Sequence, residues 1–277
     1  MNYLRGAVLP LFLVLCPLRS ALAEPLWEAG LGVTVLALSD YRGADTSSSY
    51  VLPIPYFVYR GDFLRSDRDG VRGVFMERPR FEINLSVSAT APVNSGELPA
   101  RAGMPDLDPA LELGPVLEWR AWQSADRHLR LGARIPVRAA FALGSGMGFI
   151  GWFSAPNFSV DLEGTGPLAQ WNLGALFGPL FADSRYHEYF YGVESGFVTP
   201  QRPYYRADGG YSGVQALVSA TRRFPRFWIG GFARYDRLDG AVFGDSPLVV
   251  RHSSWSTGLA ISWVFAQSSR SVPDGTR

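Results

Sequence analysis

The chain has 277 residues, 47% of them hydrophobic, with 26 basic against 25 acidic side chains, 30 Gly, 20 Pro and one Cys. That apolar content excludes a disordered polar chain, and the length allows one large domain or two small ones. The near balance of charge leaves no electropositive surplus for nucleic acid, and a lone cysteine excludes a disulfide scaffold or a thiolate metal cluster. Every basic residue is arginine.

At the start, Arg5 precedes an apolar run from Ala7 to Pro17, and Ala21-Leu22-Ala23 supplies a small-x-small cleavage pattern. The run is too short to span a bilayer as a helix, so residues 1–23 read as a secretory signal. Leu15, just before Cys16, is too bulky for a lipoprotein cleavage site, which argues against lipidation of Cys16. Cleavage after Ala23 leaves 277 minus 23, or 254 residues, with no cysteine. The expected plan is a barrel over 24–265 followed by a polar, disordered tail over 266–277.

No later apolar run is long enough for a transmembrane helix. Period-two alternation recurs instead, in segments of the length a tilted strand needs to cross a membrane. Phe81, Ile83, Leu85, Val87 and Ala89 alternate with Glu82, Asn84, Ser86, Ser88 and Thr90. Segments 111–120 and 129–138 repeat the pattern. Strands are expected over 27–38, 50–60, 63–69, 71–77, 81–90, 110–121, 128–140, 151–162, 168–178, 211–222, 226–236 and 254–265. This predicts an all-β fold: a transmembrane antiparallel β-barrel of about 12 strands, within about 10–14.

Alternation alone also suits a soluble sandwich, whose apolar face turns inward. The connections separate the two. Those at 61–62, 78–80, 122–127, 163–167 and 223–225 are short, while 39–49, 91–109, 141–150, 179–210 and 237–253 are long. The exception is the Asp69-Gly70 turn, a hairpin where a long loop is due. Short turns on one rim and long loops on the other are the build of outer-membrane barrels. Trp27, Tyr50, Tyr56, Tyr59, Trp119, Trp122, Trp152, Trp171, Trp228, Tyr235, Trp255 and Trp263 lie mostly near strand ends, as expected of aromatic girdles.

Candidate sites are few. His128, His187 and His252 have no metal-ligand spacing, and adjacent residues of a strand face opposite ways, so His252 and Ser253 cannot form a nucleophile–base pair. The acids near Glu97, Asp106 and Asp108 lack a regular cation-loop spacing, and local turns account for them. No catalytic residue, metal or cofactor is expected. Glu82, Glu112, Glu118, Arg120, Arg130, Arg134 and Arg138 fall on the inward faces of three successive strands, a candidate lumen charge network that either fills the barrel or lines a narrow pore. The longest loop, 179–210, carries Tyr186, Tyr189, Phe190, Tyr191, Tyr204 and Tyr205, a candidate plug or interaction surface. Its run from Tyr189 to Val193 reads as a strand extension.

In order along the chain stand Asp40-Tyr41-Arg42-Gly43, Leu52-Pro53-Ile54-Pro55-Tyr56, Gly103-Met104-Pro105-Asp106, Leu111-Glu112-Leu113-Gly114-Pro115, Tyr189-Phe190-Tyr191-Gly192-Val193, Tyr205 to Tyr211, Asp245-Ser246-Pro247-Leu248-Val249 and the closing Trp263-Val264-Phe265. Together these blocks resemble the MltA-interacting protein (MipA)/OmpV family of Gram-negative outer-membrane proteins. The resemblance implies an outer-membrane barrel in contact with lipid and lipopolysaccharide. It also implies a scaffold that links a lytic transglycosylase to a penicillin-binding protein, with no catalytic residue to carry over. The alternatives are a passive pore, a general surface or adhesion protein, and an outer-membrane lipid hydrolase.

Overall fold

The computed structural model describes residues 25–60, 64–67, 70–144 and 147–270. The leader read over 1–23 lies outside them, as do the Gly61-Asp62 turn and Asp69 of the Asp69-Gly70 turn.

The strands are β1 (Trp27–Ser39), β2 (Ser47–Arg60), β3 (Leu64–Asp67), β4 (Gly70–Glu77), β5 (Phe81–Thr90), β6 (Ala110–Gln123), β7 (Leu129–Ala142), β8 (Gly148–Ser154), β9 (Asn157–Glu163), β10 (Trp171–Ala182), β11 (Gly210–Arg223), β12 (Phe227–Arg237) and β13 (Ser253–Gln267). All pair antiparallel in one 13-stranded sheet. The sheet closes on itself: β13 pairs with β1, and β10 pairs with β11.

β8 and β9 occupy one position in the ring, where the sequence reads a single strand over 151–162. Both lie between β7 and β10, β8 against Val137–Ala142 and β9 against Leu129–Arg134. The break falls at Ala155-Pro156, because proline has no N–H to continue a ladder. Counting them as one position, thirteen strands become the expected twelve.

Successive residues of each strand face opposite ways, and here the apolar set faces out. Leu31, Val33 and Val35 are 47–59% exposed, while Glu28 and Thr34 between the same neighbours are buried. Phe81 and Val87 of β5 are exposed, whereas Glu82 and Asn84 are 1% exposed. An uncovered belt that also includes Phe158, Phe177, Leu259, Ile261 and Phe265 suits hydrocarbon, not water.

Three expected girdle aromatics turn the other way. Tyr56 and Trp228 have ring centroids 5.9 Å apart, although β1 and β13 separate their strands in the wall, so the rings meet across the lumen. Tyr50 shares the inward face of β2 with Tyr56. Strand ends also differ from expectation at the carboxyl terminus. β13 runs through Gln267, two residues into the expected tail, and Leu26 N–H donates to Arg270 O; residues 271–277 of that tail lie outside the described residues.

The loops sort as expected. Connections 40–46, 91–109, 143–147, 183–209 and 238–252 share one rim; 78–80, 124–128, 164–170 and 224–226 share the other.

Candidate functional site

The inward charges pair across neighbouring strands. Glu82 and Arg120 are 2.7 Å apart, Glu118 and Arg134 3.4 Å, and Glu112 and Arg138 3.5 Å. Asn84 donates to both Glu82 and Glu118, and Arg138 Nε donates to Ser86 Oγ. Arg130 instead reaches Glu163 of β9 at 3.4 Å, a partner absent from the sequence-derived set. Two further groups were also missed there. Glu28 of β1 meets Arg223 of β11 at 2.6 Å, and the buried Asp236 lies 2.8 Å from Arg234 and 3.4 Å from Arg42. Glu28 and Arg223 are three strands apart in the ring, so only closure of the barrel brings them together. Alternation around Glu28, Gly30 and Thr34 marks the inward face but not the partner.

The long loops fold over their rim as one cap. Tyr41, Ala44, Val93, Leu98, Leu107, Tyr191, Ala207, Leu238, Ala241 and Phe243, drawn from four loops, form its apolar core. Two buried arginines tie backbone to backbone. Arg101 donates to Ser95 Oγ, Phe190 O and Pro105 O; Arg202 donates to Phe197 O, Ala100 O and Ala102 O. Tyr41 Oη donates to Leu248 O at 2.7 Å, and its burial pushes the phenol pKa up to about 12.

Residues 184–191 form a helix, α1 (Ser184–Tyr191), where the sequence reads a strand extension from Tyr189. Asp183 starts it: its carboxylate accepts from Tyr186 N–H at 2.8 Å. Helical spacing then puts Tyr186, Phe190 and His187, Tyr191 on faces that meet the lumen and the cap core. Tyr186 Oη donates to Glu112 of β6 at 3.0 Å, which joins the cap to the lumen charges. Tyr191 stacks on Phe243 at 3.7 Å and donates to Arg42 O. Of the six expected loop aromatics, Tyr186, Phe190 and Tyr191 pack within the cap, with Tyr189 and Tyr205 partly buried beside them. Tyr204 is 60% exposed and alone faces outward.

The structure makes a serine–histidine contact that the sequence reading sought at His252. His187 Nδ1 lies 2.6 Å from Asp208 O and Nε2 lies 2.6 Å from Ser212 Oγ. A carbonyl can only accept, so Nδ1 carries the proton, while Ser212 Oγ lies between Nε2 and Gly210 O, 3.3 Å from the latter. Both side chains are 1% exposed within the cap and offer a substrate no approach. Desolvation first, then the nearby Arg42, lowers the His187 pKa below its usual value. No group of three or more His, Cys, Asp or Glu suited to a metal occurs among the described residues.

Below the cap the lumen holds space. A cavity of about 330 Å³ is bounded by Glu112, Arg138, Arg234, Tyr186 and the wall residues Tyr50 and Ser88–Ala91. A second, of about 360 Å³, lies toward the short-turn rim beside Gly174, Gly230, Gly258 and Trp228. Two rings rest against bare glycine there: a Cβ on Gly258 would come within 2.4 Å of the Phe232 ring, and one on Gly230 within 2.3 Å of Trp228.

Among solved structures, the chain is similar to the COG4313 outer membrane channel from Pseudomonas putida F1, at 12% identity and TM-score 0.39, covering 88% of this chain and 97% of that one. It is similar to the toluene transporter TodX of Pseudomonas putida at 14% identity and TM-score 0.28, over 87% and 68% of the two chains. The outer membrane protein OprG from Pseudomonas aeruginosa follows at 7% identity and TM-score 0.21, over 87% and 94%. At these scores the likeness carries no argument about activity. No curated protein matches the sequence. The sequence profile of the MltA-interacting protein MipA family matches residues 31–265.

Proposed function

Since the chain belongs to the MipA family and is a barrel of the Gram-negative outer membrane, we propose that it acts as an interaction scaffold, docking a lytic transglycosylase at its short-turn rim. The relation to that enzyme class comes from the family's name, which describes an MltA-interacting protein. A penicillin-binding protein is the second partner in this reading, and the short-turn rim faces the periplasm.

One observation carries the proposal: the two rims differ in charge. On the short-turn rim Arg78, Arg80, Arg127, Arg226 and Arg270 are exposed, and no ion pair holds them among the described residues. The only exposed described carboxylate of those connections is Asp126, which is engaged by Ser124 and His128 N–H. The long loops carry eleven carboxylates against six arginines. A ring of unpaired guanidinium groups is a docking surface for a carboxylate-bearing protein face, since each arginine binds carboxylate through a two-pronged fork. The capped rim, by contrast, spends its aromatics and buried arginines on its own loops.

The test is co-purification of the detergent-solubilised protein from envelope extract. The expected result is recovery of a lytic transglycosylase, lost when Arg78, Arg80, Arg127 and Arg226 are changed together to Glu, and lost in high salt. Recovery unchanged by the charge reversal, or no murein enzyme in either sample, overturns the reading.

A further inference from the structure

Among the described residues the wall of the barrel has a gap beside the upper cavity. β3 and β4 are a short hairpin rising from the short-turn rim. β2 has β3 beside it only at Tyr59 and Arg60, and the ladder between β4 and β5 ends at Arg72 and Ser86. Toward the capped rim, Ser47–Pro55 of β2 and Val87–Thr90 of β5 have no strand on the facing side among the described residues. Unpaired strand edges are not sustained against hydrocarbon, where each unmet backbone group costs several kcal/mol; they persist where they border a cavity.

Three features fit that condition. First, the cavity of about 330 Å³ reaches both edges: Tyr50 of β2 and Ser88, Ala89 and Thr90 of β5 line it. Ala89 belongs to the outward set of β5 and is exposed, so the lining of the cavity includes a residue of the outer surface. Second, consecutive residues of β2 are open on both faces, Val51 at 70% and Leu52 at 45% exposure. Third, β2 pairs with β1 without interruption through Pro53 and Pro55. Such a ladder loses no donor when both proline nitrogens point away from β1, toward the gap, so this edge lacks N–H donors at two positions.

The geometry points to a lateral binding site: a single-chain amphiphile with an anionic head enters the cavity from the membrane between β2 and β5. Its chain lies along Leu38 and Tyr50, inward residues of β1 and β2 that line the cavity. Its head meets Arg138 and Arg234, which line the same space and are 20% and 32% exposed. A carboxylate gains charge-assisted hydrogen bonds from these guanidinium groups, whereas an alcohol of equal length does not. The volume lies at the small end of ligand sites, which run from about 300 to 1,000 Å³. The cap covers the approach from the long-loop rim, and the gap between β2 and β5 is the opening of this cavity toward the membrane.

The experiment uses the purified full chain in lipid nanodiscs with a diazirine-bearing twelve-carbon fatty acid. Peptides cross-linked on irradiation are mapped, with dodecanoate and dodecanol as competitors. Labelling is expected on the peptides holding Tyr50–Leu52 and Ser88–Ala91, competed by dodecanoate and about tenfold less by dodecanol. Ala89→Trp, which fills the mouth, and Arg138→Gln, which removes head-group charge, are each expected to cut it. Val218→Trp, on the outer belt of β11 across the barrel, should leave it unchanged. Folding of each variant is read from the mobility shift between unheated and heated samples. Labelling spread over the lipid belt, insensitive to Ala89→Trp, means annular lipid only and overturns the proposal. So does equal competition by dodecanol, or labelling that persists in a folded Ala89→Trp protein.

Discussion

At the scale of single residues, His187 couples the cap to pH. Its Nδ1 donates to Asp208 O and its Nε2 meets Ser212 Oγ, with Arg42 and Asp183 the charged groups that act on it. A buried imidazole whose folded pKa lies below its free value of 6.5 takes up a proton on release. Its contribution to cap stability is therefore complete above that free value and is lost as pH falls through the lower, folded value. Protection factors over 183–209, taken against the intrinsic exchange rate at each pH, are expected to fall between pH 7 and 5. In His187→Gln, whose amide keeps a donor and an acceptor, the profile should be flat over that range. A pH-dependent profile in the variant would place the titration elsewhere. The residue itself was visible in the sequence, but its role was not. Asp208 and Ser212 lie 21 and 25 positions away, and a contact through a loop return leaves no spacing signal. The inward charges on β5, β6 and β7 were legible for the opposite reason, since neighbouring strands in one hairpin series put alternation and partner in the same place.

At the scale of elements, alternation located the wall because each strand has one face in hydrocarbon and one in the lumen. It failed where one face stops being polar. The inward residues Leu52, Ile54 and Tyr56 of β2 make both faces apolar, so Tyr56 read as a girdle residue. Helix α1 was missed because aromatic residues at nearly every position of 186–191 mask a 3.6-residue period. The break between β8 and β9 rests on a second feature besides Pro156. Gly178 of β10 sits opposite, and a Cβ there would lie 1.9 Å from Pro156 O. Its need is space for the neighbouring backbone. Gly178→Ala is expected to destabilise the barrel by about 1–3 kcal/mol, since backbone at that distance must move. Gly196→Ala, where nothing lies within 4 Å, is expected to be near neutral. The midpoints of urea unfolding in detergent micelles measure both, and equal midpoints would refute the close-approach argument.

At the scale of the whole molecule, one rim is capped by its loops and the other carries exposed arginines, the asymmetry on which the proposed docking rests. Sealing depends on Arg101 and Arg202, because each is buried and bonded to carbonyls of separate stretches of loop. A buried guanidinium replaced by an apolar side chain leaves several carbonyls unmet at once, each costing about 1–3 kcal/mol. The strands below carry their own ladders and do not need the cap to remain paired. Purified protein in a planar bilayer is therefore expected to show no stable conductance steps, and the pair Arg101→Met with Arg202→Met to show them, with the barrel still resisting denaturation in unheated samples. Steps in the unaltered protein would mean that the two lumen cavities join an open axial path. The same cap fixes where sidedness is best read. Asp183 caps α1 and should not be disturbed, whereas Gly196 is exposed with open space around it. An epitope inserted at Gly196 is expected to be reached by antibody on intact cells, leaving the arginine rim in the periplasm where a murein enzyme can meet it. Access only after the outer membrane is permeabilised would invert the barrel and place the acidic cap, not the arginines, on the side of the partner.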